Sequence, residues 1–193
     1  MAQAGPPSAS LRVPCARRTI FAAFRSAAVD LWGTDGLRRI GEAMPEASRR
    51  ATVDPVVLTD EWIPEEHVMA WYEAAWAFCQ RNEAEYARFI DRMMDFGFGR
   101  VRKLLLSLAS VAMVATKASE LWRHDHTTGE LLSEFHPGEV TLRLRGHLYT
   151  TTPLARRSIA EIYRYALSLT GKKNVTATHS LEPDGELRVR LRY

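Results

Sequence analysis

The chain has only two cysteines in 193 residues, Cys15 and Cys79, and no Cys-x-x-Cys pair. That excludes a disulfide framework and the redox or zinc sites built on that spacing, and it suits a reducing compartment. Long apolar runs are missing as well. The longest, Leu104 to Ala115, is interrupted by serines and is about half the length a membrane span requires. There is no P-loop ending, no recognisable Ser-His-Asp or Cys-His arrangement, and no internal repeat. A large excess of one charge is also lacking. The net charge is +3, too small for a dedicated nucleic-acid binder. What remains is a non-enzymatic, cytoplasmic globular chain.

The charge that is present is unevenly placed. From Glu139 onward, ten Lys/Arg stand against five Asp/Glu, while Asp60 to Asp95 carries nine acids and three arginines. An acidic helical middle and a basic end can face each other within the fold or across an oligomer. Residues 1–15, rich in Ala, Pro and Ser, read as a disordered leader without a signal-peptide apolar run. Residues 16–193 read as one domain, helical over 16–118 and sheet plus helix over 119–193.

Helical spacing is clear in the first part. Ile20, Phe21, Phe24, Ala28 and Leu31 share a face that Gly33 ends, and a short helix fits Asp35 to Ala43. Pro45 to Ile63 reads as irregular. Pro64 to Cys79 stacks Val68, Trp71, Tyr72, Ala75 and Trp76 in one stripe. Asn82 and Glu85 form a capping box ahead of Tyr86, Phe89, Ile90 and Met93. After Gly97 and Gly99, Arg100 to Ala118 is apolar on most sides and is expected as a buried central helix.

The last third alternates with period two. Leu142, Leu144, Leu187, Val189 and Leu191 interleave with Arg143, Arg145, Arg188, Arg190 and Arg192, which marks antiparallel strands with one apolar and one cationic face. Strands are expected at Leu121–His126, Leu131–Phe135, Val140–Leu148, Val175–Leu181 and Glu186–Arg192. A long helix, opened by Thr152-Pro153 and closed by Gly171, is inserted between them. The fold class is therefore α+β: a helical N-terminal half packed on a four- to five-stranded antiparallel sheet with one long helix inserted between strands.

Two groups of side chains are candidates for function. Aromatic density around Trp71, Tyr72 and Trp76, joined by Phe96, Phe98, Tyr149 and Tyr163, is expected to line a pocket for a small hydrophobic ligand. The five arginines Arg143, Arg145, Arg188, Arg190 and Arg192 offer a surface for an anion or an acidic partner, or a solvated face relieved by Glu139, Glu182 and Glu186. His124 and His126 would share one face of a strand near His136, His147 and His179. No acidic or cysteine ligand completes a metal spacing, so neither a metal nor a cofactor is expected. Glu65-Glu66, Glu73 and Glu83-x-Glu85 read as solvated helix faces.

The order of elements resembles the ligand-binding superfamily of haem nitric-oxide sensor domains, 4-vinyl-reductase-type domains and Bet3-like transport subunits. Phe21-Ala22-Ala23-Phe24, Phe96 to Arg100, Tyr149 to Arg157 leading into Ile159 to Gly171, and Asn174 to Tyr193 carry the resemblance. Within it, the chain is similar to a myxobacterial paralogous family of about this length and of unknown function. The resemblance implies a regulatory module that binds a small hydrophobic ligand or a signalling partner. An alternative is a structural adaptor acting through homodimerisation or a larger complex. Haem sensors of this fold use a Tyr-x-Ser-x-Arg motif and a proximal histidine. Here Tyr149-Thr150-Thr151-Thr152-Pro153 has Thr for Ser and Pro for Arg.

Overall fold

The computed structural model describes residues 13–54 and 61–193. A first short strand, β1 (Cys15–Arg17), leads into helices α1 (Arg18–Glu42) and α2 (Glu46–Thr52). Strand β2 (Trp62–Pro64) pairs with β1 and is followed by α3 (Glu66–Phe78), α4 (Glu83–Leu108) and α5 (Val111–Asp125). The main sheet follows: β3 (Glu130–His136), β4 (Glu139–Arg145), α6 (Pro153–Ser168), β5 (Thr176–Leu181) and β6 (Leu187–Arg192). Its order is β3-β4-β6-β5, all antiparallel, and α6 is the helix inserted between β4 and β5. The α+β reading of the sequence is the architecture found.

The alternation seen in the sequence becomes the two faces of the sheet. Leu131, Val140, Leu142, Leu144, Leu187, Val189 and Leu191 are buried beneath the helices, with α5 along β3 and α6 over β5 and β6. Burying these aliphatic side chains removes about 1.5–3 kcal/mol of exposure each, which fixes the register, since a one-residue slip would turn every leucine outward. The helical half adds an aromatic centre to the same core. Phe24 stacks on Trp71 at 5.1 Å between ring centroids and on Phe89 at 6.0 Å. Trp71 donates its indole N–H to Thr52 Oγ1 at 2.8 Å.

Gly33 takes φ 70° and ψ −179°, which is not helical, so α1 is two helices meeting at that residue, as the sequence indicated. Other expectations change. Pro45 to Ile63 contains α2, and Pro64 belongs to β2 ahead of the helix. Gly99 (φ 60°, ψ 173°) is not helical and breaks α4 ahead of Arg100 as expected, but Arg100 to Ala118 is itself two elements, because Ser110 N-caps α5 by accepting from the Met113 amide. Nor is this stretch fully buried, since Leu104, Leu105, Leu108 and Met113 are exposed. Leu121–His126 is the last turn of α5. Ala115, Ala118 and Trp122, at helical spacing, are buried and hold that turn helical. Most of the expected leader lies outside the described residues, and Cys15 opens β1.

The β1–β2 ribbon had no sequence signal, yet it brings distant segments together. Ala16 pairs with Ile63 on one side and bridges to His126 on the other. The Glu65 amide donates to Pro14 O at 2.9 Å, and the Thr127 amide donates to Cys15 O at 3.0 Å. One short strand thus ties the start of α3 to the end of α5.

Candidate functional site

A cavity of about 380 Å³ opens between α5, α6, the second half of α4 and the inner face of the sheet. That volume falls in the range of small-molecule sites. Its walls are mostly apolar, including Ile20, Met93, Met94, Leu105, Met113, Leu121, Val140, Leu142, Ile159, Ile162 and Leu191. Three charged side chains on its lining reach solvent: Arg102 and Asp125, which pair at 4.0 Å, and Lys117, which pairs with Glu120. The closed end is aromatic and polar, formed by Tyr72, Tyr149, Trp122 and His126.

Behind that end lies a His–Glu–His array. Glu65, at the start of α3, has no solvent exposure and does not cap its helix. Its side chain turns inward between two imidazoles. His126 Nδ1 lies 2.7 Å from Glu65 Oε1, and His147 Nε2 lies 2.6 Å from Oε2. A carboxylate only accepts, so His126 donates from Nδ1. His147 caps the turn after β4, where its Nδ1 accepts from the Tyr149 amide at 3.2 Å. That assigns the His147 proton to Nε2, facing Glu65. The N–H direction there is off line for a full hydrogen bond, and Glu65 Oε2 and His147 Nε2 have no other partner. The close approach is therefore chiefly electrostatic.

Packing holds the array rigid. The His126 ring stacks on Trp122 at 4.0 Å between centroids, and His147 meets Trp122 and Tyr149 edge-on at 4.7 and 4.4 Å. Trp122 donates its N–H to Thr128 O. Gly129, at φ 83°, passes so close to His147 that an added Cβ would sit 2.9 Å from that side chain. Burial alone would raise the Glu65 carboxyl, but the hydrogen bond from His126 and the close approach of His147 together outweigh it and hold it below the usual range. Burial lowers His147 despite the opposing pull of Glu65, and the imidazole stays neutral. Burial pushes the Tyr72 and Tyr149 hydroxyls well up, so both keep their protons.

Glu65, His126 and His147 offer donor atoms within 4.8 Å of one another, a spacing a metal ion can use. The tautomer argues against that use. A metal-bound histidine normally donates its other ring N–H to an acceptor, whereas the other nitrogen of His147 faces an N–H. We read a hydrogen-bonded array.

The sequence candidates divide accordingly. Tyr72, Phe98, Tyr149 and Tyr163 line the cavity. Trp71 lies in the aromatic core, bonded to Thr52. Trp76 packs edge-on against Tyr86 beneath the Arg157 guanidinium, and Phe96 is exposed under Arg92. The five arginines do share one sheet face, with Arg143 opposite Arg188. Buried Glu186 is clamped by Arg143 (2.8 Å) and Arg145, while Glu139 pairs with Arg192 and Glu182 with Arg188. The exposed Arg190 adds its charge near Glu139. Among the described residues, this face is therefore largely neutralised by its own acids. Of the five histidines weighed on the sequence, only His126 and His147 meet. His124 and His126 end a helix rather than share a strand face. Glu65, read from the sequence as solvated, supplies the missing acid. The one local signal for it was its place directly after Pro64, ahead of an apolar helix.

No family model matches this chain, and no curated protein matches it. Solved structures do. An unliganded Fe(II) H-NOX protein from K. algicida superposes with a TM-score of 0.60 at 11% identity, covering 91% of this chain and 95% of that one. A protein solved to probe haem distortion in the H-NOX family gives 0.58 at 13%, over 92% and 94%. A point variant of the T. tengcongensis H-NOX gives 0.50 at 12%, over 91% and 96%. The chain has the H-NOX fold.

Within the H-NOX fold the haem-holding motif can be checked residue by residue. Pro153 stands in the arginine position and is the first residue of α6. The Thr151 hydroxyl donates back to Leu148 O. Of the nearby arginines, Arg156 donates to Thr150 O and Arg157 pairs with Glu83. None of these four lines the cavity. The cavity's one imidazole, His126, ends α5 and is tied to Glu65. These donors do not fit a haem held by that motif.

Proposed function

We propose that this chain is a non-enzymatic, cytoplasmic sensory module whose cavity binds a small, mostly apolar ligand in place of haem. The observation that carries this reading is the apolar cavity with one polar, rigid end in an H-NOX fold. Occupancy of such a cavity would bridge α5, α6 and the sheet, and so couple ligand to surface. The narrower likeness to a myxobacterial family rests on the sequence motifs. Among the described residues, no helix is long and apolar enough to cross a membrane.

Native mass spectrometry of the purified protein tests the proposal. The expected result is a chain carrying a small apolar adduct, or one that acquires an added apolar probe stoichiometrically. A bare chain that binds no apolar probe would contradict it, as would a stable Soret band after incubation with haemin.

A second reading, a structural adaptor acting through homodimerisation, is favoured by the exposed leucines Leu104, Leu105 and Leu108. Leu105 and Met113 also line the cavity, so the same patch serves its mouth. Sedimentation at tens of micromolar separates the two: a monomer removes the adaptor.

A further inference from the structure

We infer that the ligand of this cavity is uncharged and carries a hydroxyl, aliphatic or phenolic, which donates its hydrogen bond to His126 Nε2. This rests on the ligand-binding reading above and names the chemistry that the closed end selects.

The argument begins with Glu65. A carboxylate accepts and cannot donate, so its 2.7 Å contact fixes the His126 proton on Nδ1. In the tautomer that this contact fixes, the one remaining nitrogen, Nε2, carries the lone pair. That nitrogen has no hydrogen-bond partner among the described residues, while the ring lines the cavity and is held in place by Trp122. A carboxylate-oriented imidazole is a better acceptor than a free one. The group that completes it is a donor on the ligand.

Charge rules out an acidic head at this end. Glu65 already places a negative charge one ring away. His147 is neutral, and the lining cations Arg102 and Lys117 are solvent-facing and paired. A ligand carboxylate here would oppose Glu65 in a region poor in water, where like charges repel strongly. A wholly apolar ligand would fit the walls but cover the half-buried His126 acceptor without meeting it, which costs binding.

Three matched probes test this with the unmodified protein, followed by calorimetry at pH 8: 4-hexylphenol, hexylbenzene and 4-hexylbenzoate. The phenol is the less hydrophobic of the two neutral probes, so walls alone would favour hexylbenzene. The inference expects the reverse, with the phenol about tenfold tighter than hexylbenzene and the benzoate weakest. In His126→Phe, which keeps a ring on Trp122, the phenol preference should vanish while hexylbenzene still binds. Equal binding of phenol and hexylbenzene, tightest binding of the benzoate, or an intact preference in His126→Phe would overturn the hydroxyl inference and leave the cavity reading standing. So would a stoichiometric divalent ion on the purified protein that is lost in Glu65→Gln. Binding of none of the probes would instead remove the ligand-binding reading itself. The comparison of probes on the unmodified protein decides the matter even if the variants fail to fold.

Discussion

Two buried carboxylates in this molecule make opposite use of nearly the same geometry. Glu186, on the cationic face of the sheet, sits between Arg143 and Arg145, and its carboxyl is held below the usual range by their hydrogen bonds against the cost of burial. Glu65, at the end of the cavity, sits between His126 and His147. Guanidinium groups keep their charge at any physiological pH and leave Glu186 fully compensated. Imidazoles can be neutral, and burial favours the neutral form of His147, so Glu65 lacks the permanent countercharge that Glu186 has. The first arrangement fastens two strands. The second holds one nitrogen ready beside an apolar cavity.

That contrast predicts unequal consequences of breaking each site. Glu65→Ala should be the most damaging substitution, since it leaves two buried imidazole N–H groups without an acceptor. A loss of about 2–4 kcal/mol is expected in urea unfolding, and a loss below 1 would contradict the account. Gly129→Ala follows, because a Cβ at φ 83° and 2.9 Å from His147 must displace that ring. Its melting temperature should drop, and the drop should shrink but persist in a background where His147 is already alanine, because the ring atoms go while the nearest atom, Cβ at position 147, and the positive φ remain.

Glu186→Gln should cost less than Glu65→Ala, and its cost should shrink as salt is raised, because Arg143 and Arg145 are partly exposed. Salt should scarcely change the cost of Glu65→Ala. The smallest effect is expected for Arg190→Ala on the exposed face, a shift of less than about 2 °C.

The pH dependence sharpens the same comparison. His147 is lowered from 6.5 by burial, so below that pH the unfolded chain binds a proton that the folded chain does not. Stability is therefore full above pH 6.5 and declines as the pH falls. His67 and His179, also lowered chiefly by burial, act in the same direction. A second decline begins below about pH 4.5, where Glu65 of the unfolded chain takes up a proton that the folded carboxyl, held lower, does not. Thermal melts between pH 8 and 4 should follow this course, and a melting temperature that rises from pH 6.5 to 5 would contradict it.

Much of the fold was legible because it is written in periodicity. The leucine–arginine alternation gave the sheet and its faces, and Thr152-Pro153 gave the start of α6, where Thr152 Oγ1 accepts from the Ala155 amide. The error at Leu121–His126 came from a short segment whose helical face shows only through Ala118 and Ala115, one and two turns upstream of Trp122. The site was legible only in part. Tyr72, Phe98, Tyr149 and Tyr163 could be chosen as aromatics near helix faces. Glu65 could not be joined to His126 and His147, because they lie 61 and 82 positions away: the three-residue strand β1 brings His126 to it, and His147 arrives from the turn after β4. Pairing of that kind leaves no local pattern.

The central claim is that Glu65 holds His126 with its proton on Nδ1 and its Nε2 open to the cavity. Nitrogen-15 NMR of the histidine side chains, with and without 4-hexylphenol, tests it most directly. The account predicts an Nδ1–H tautomer for His126 in the free protein and a shift confined to its Nε2 resonance on binding. An Nε2–H tautomer, or an unmoved Nε2 while the phenol is bound, would contradict it.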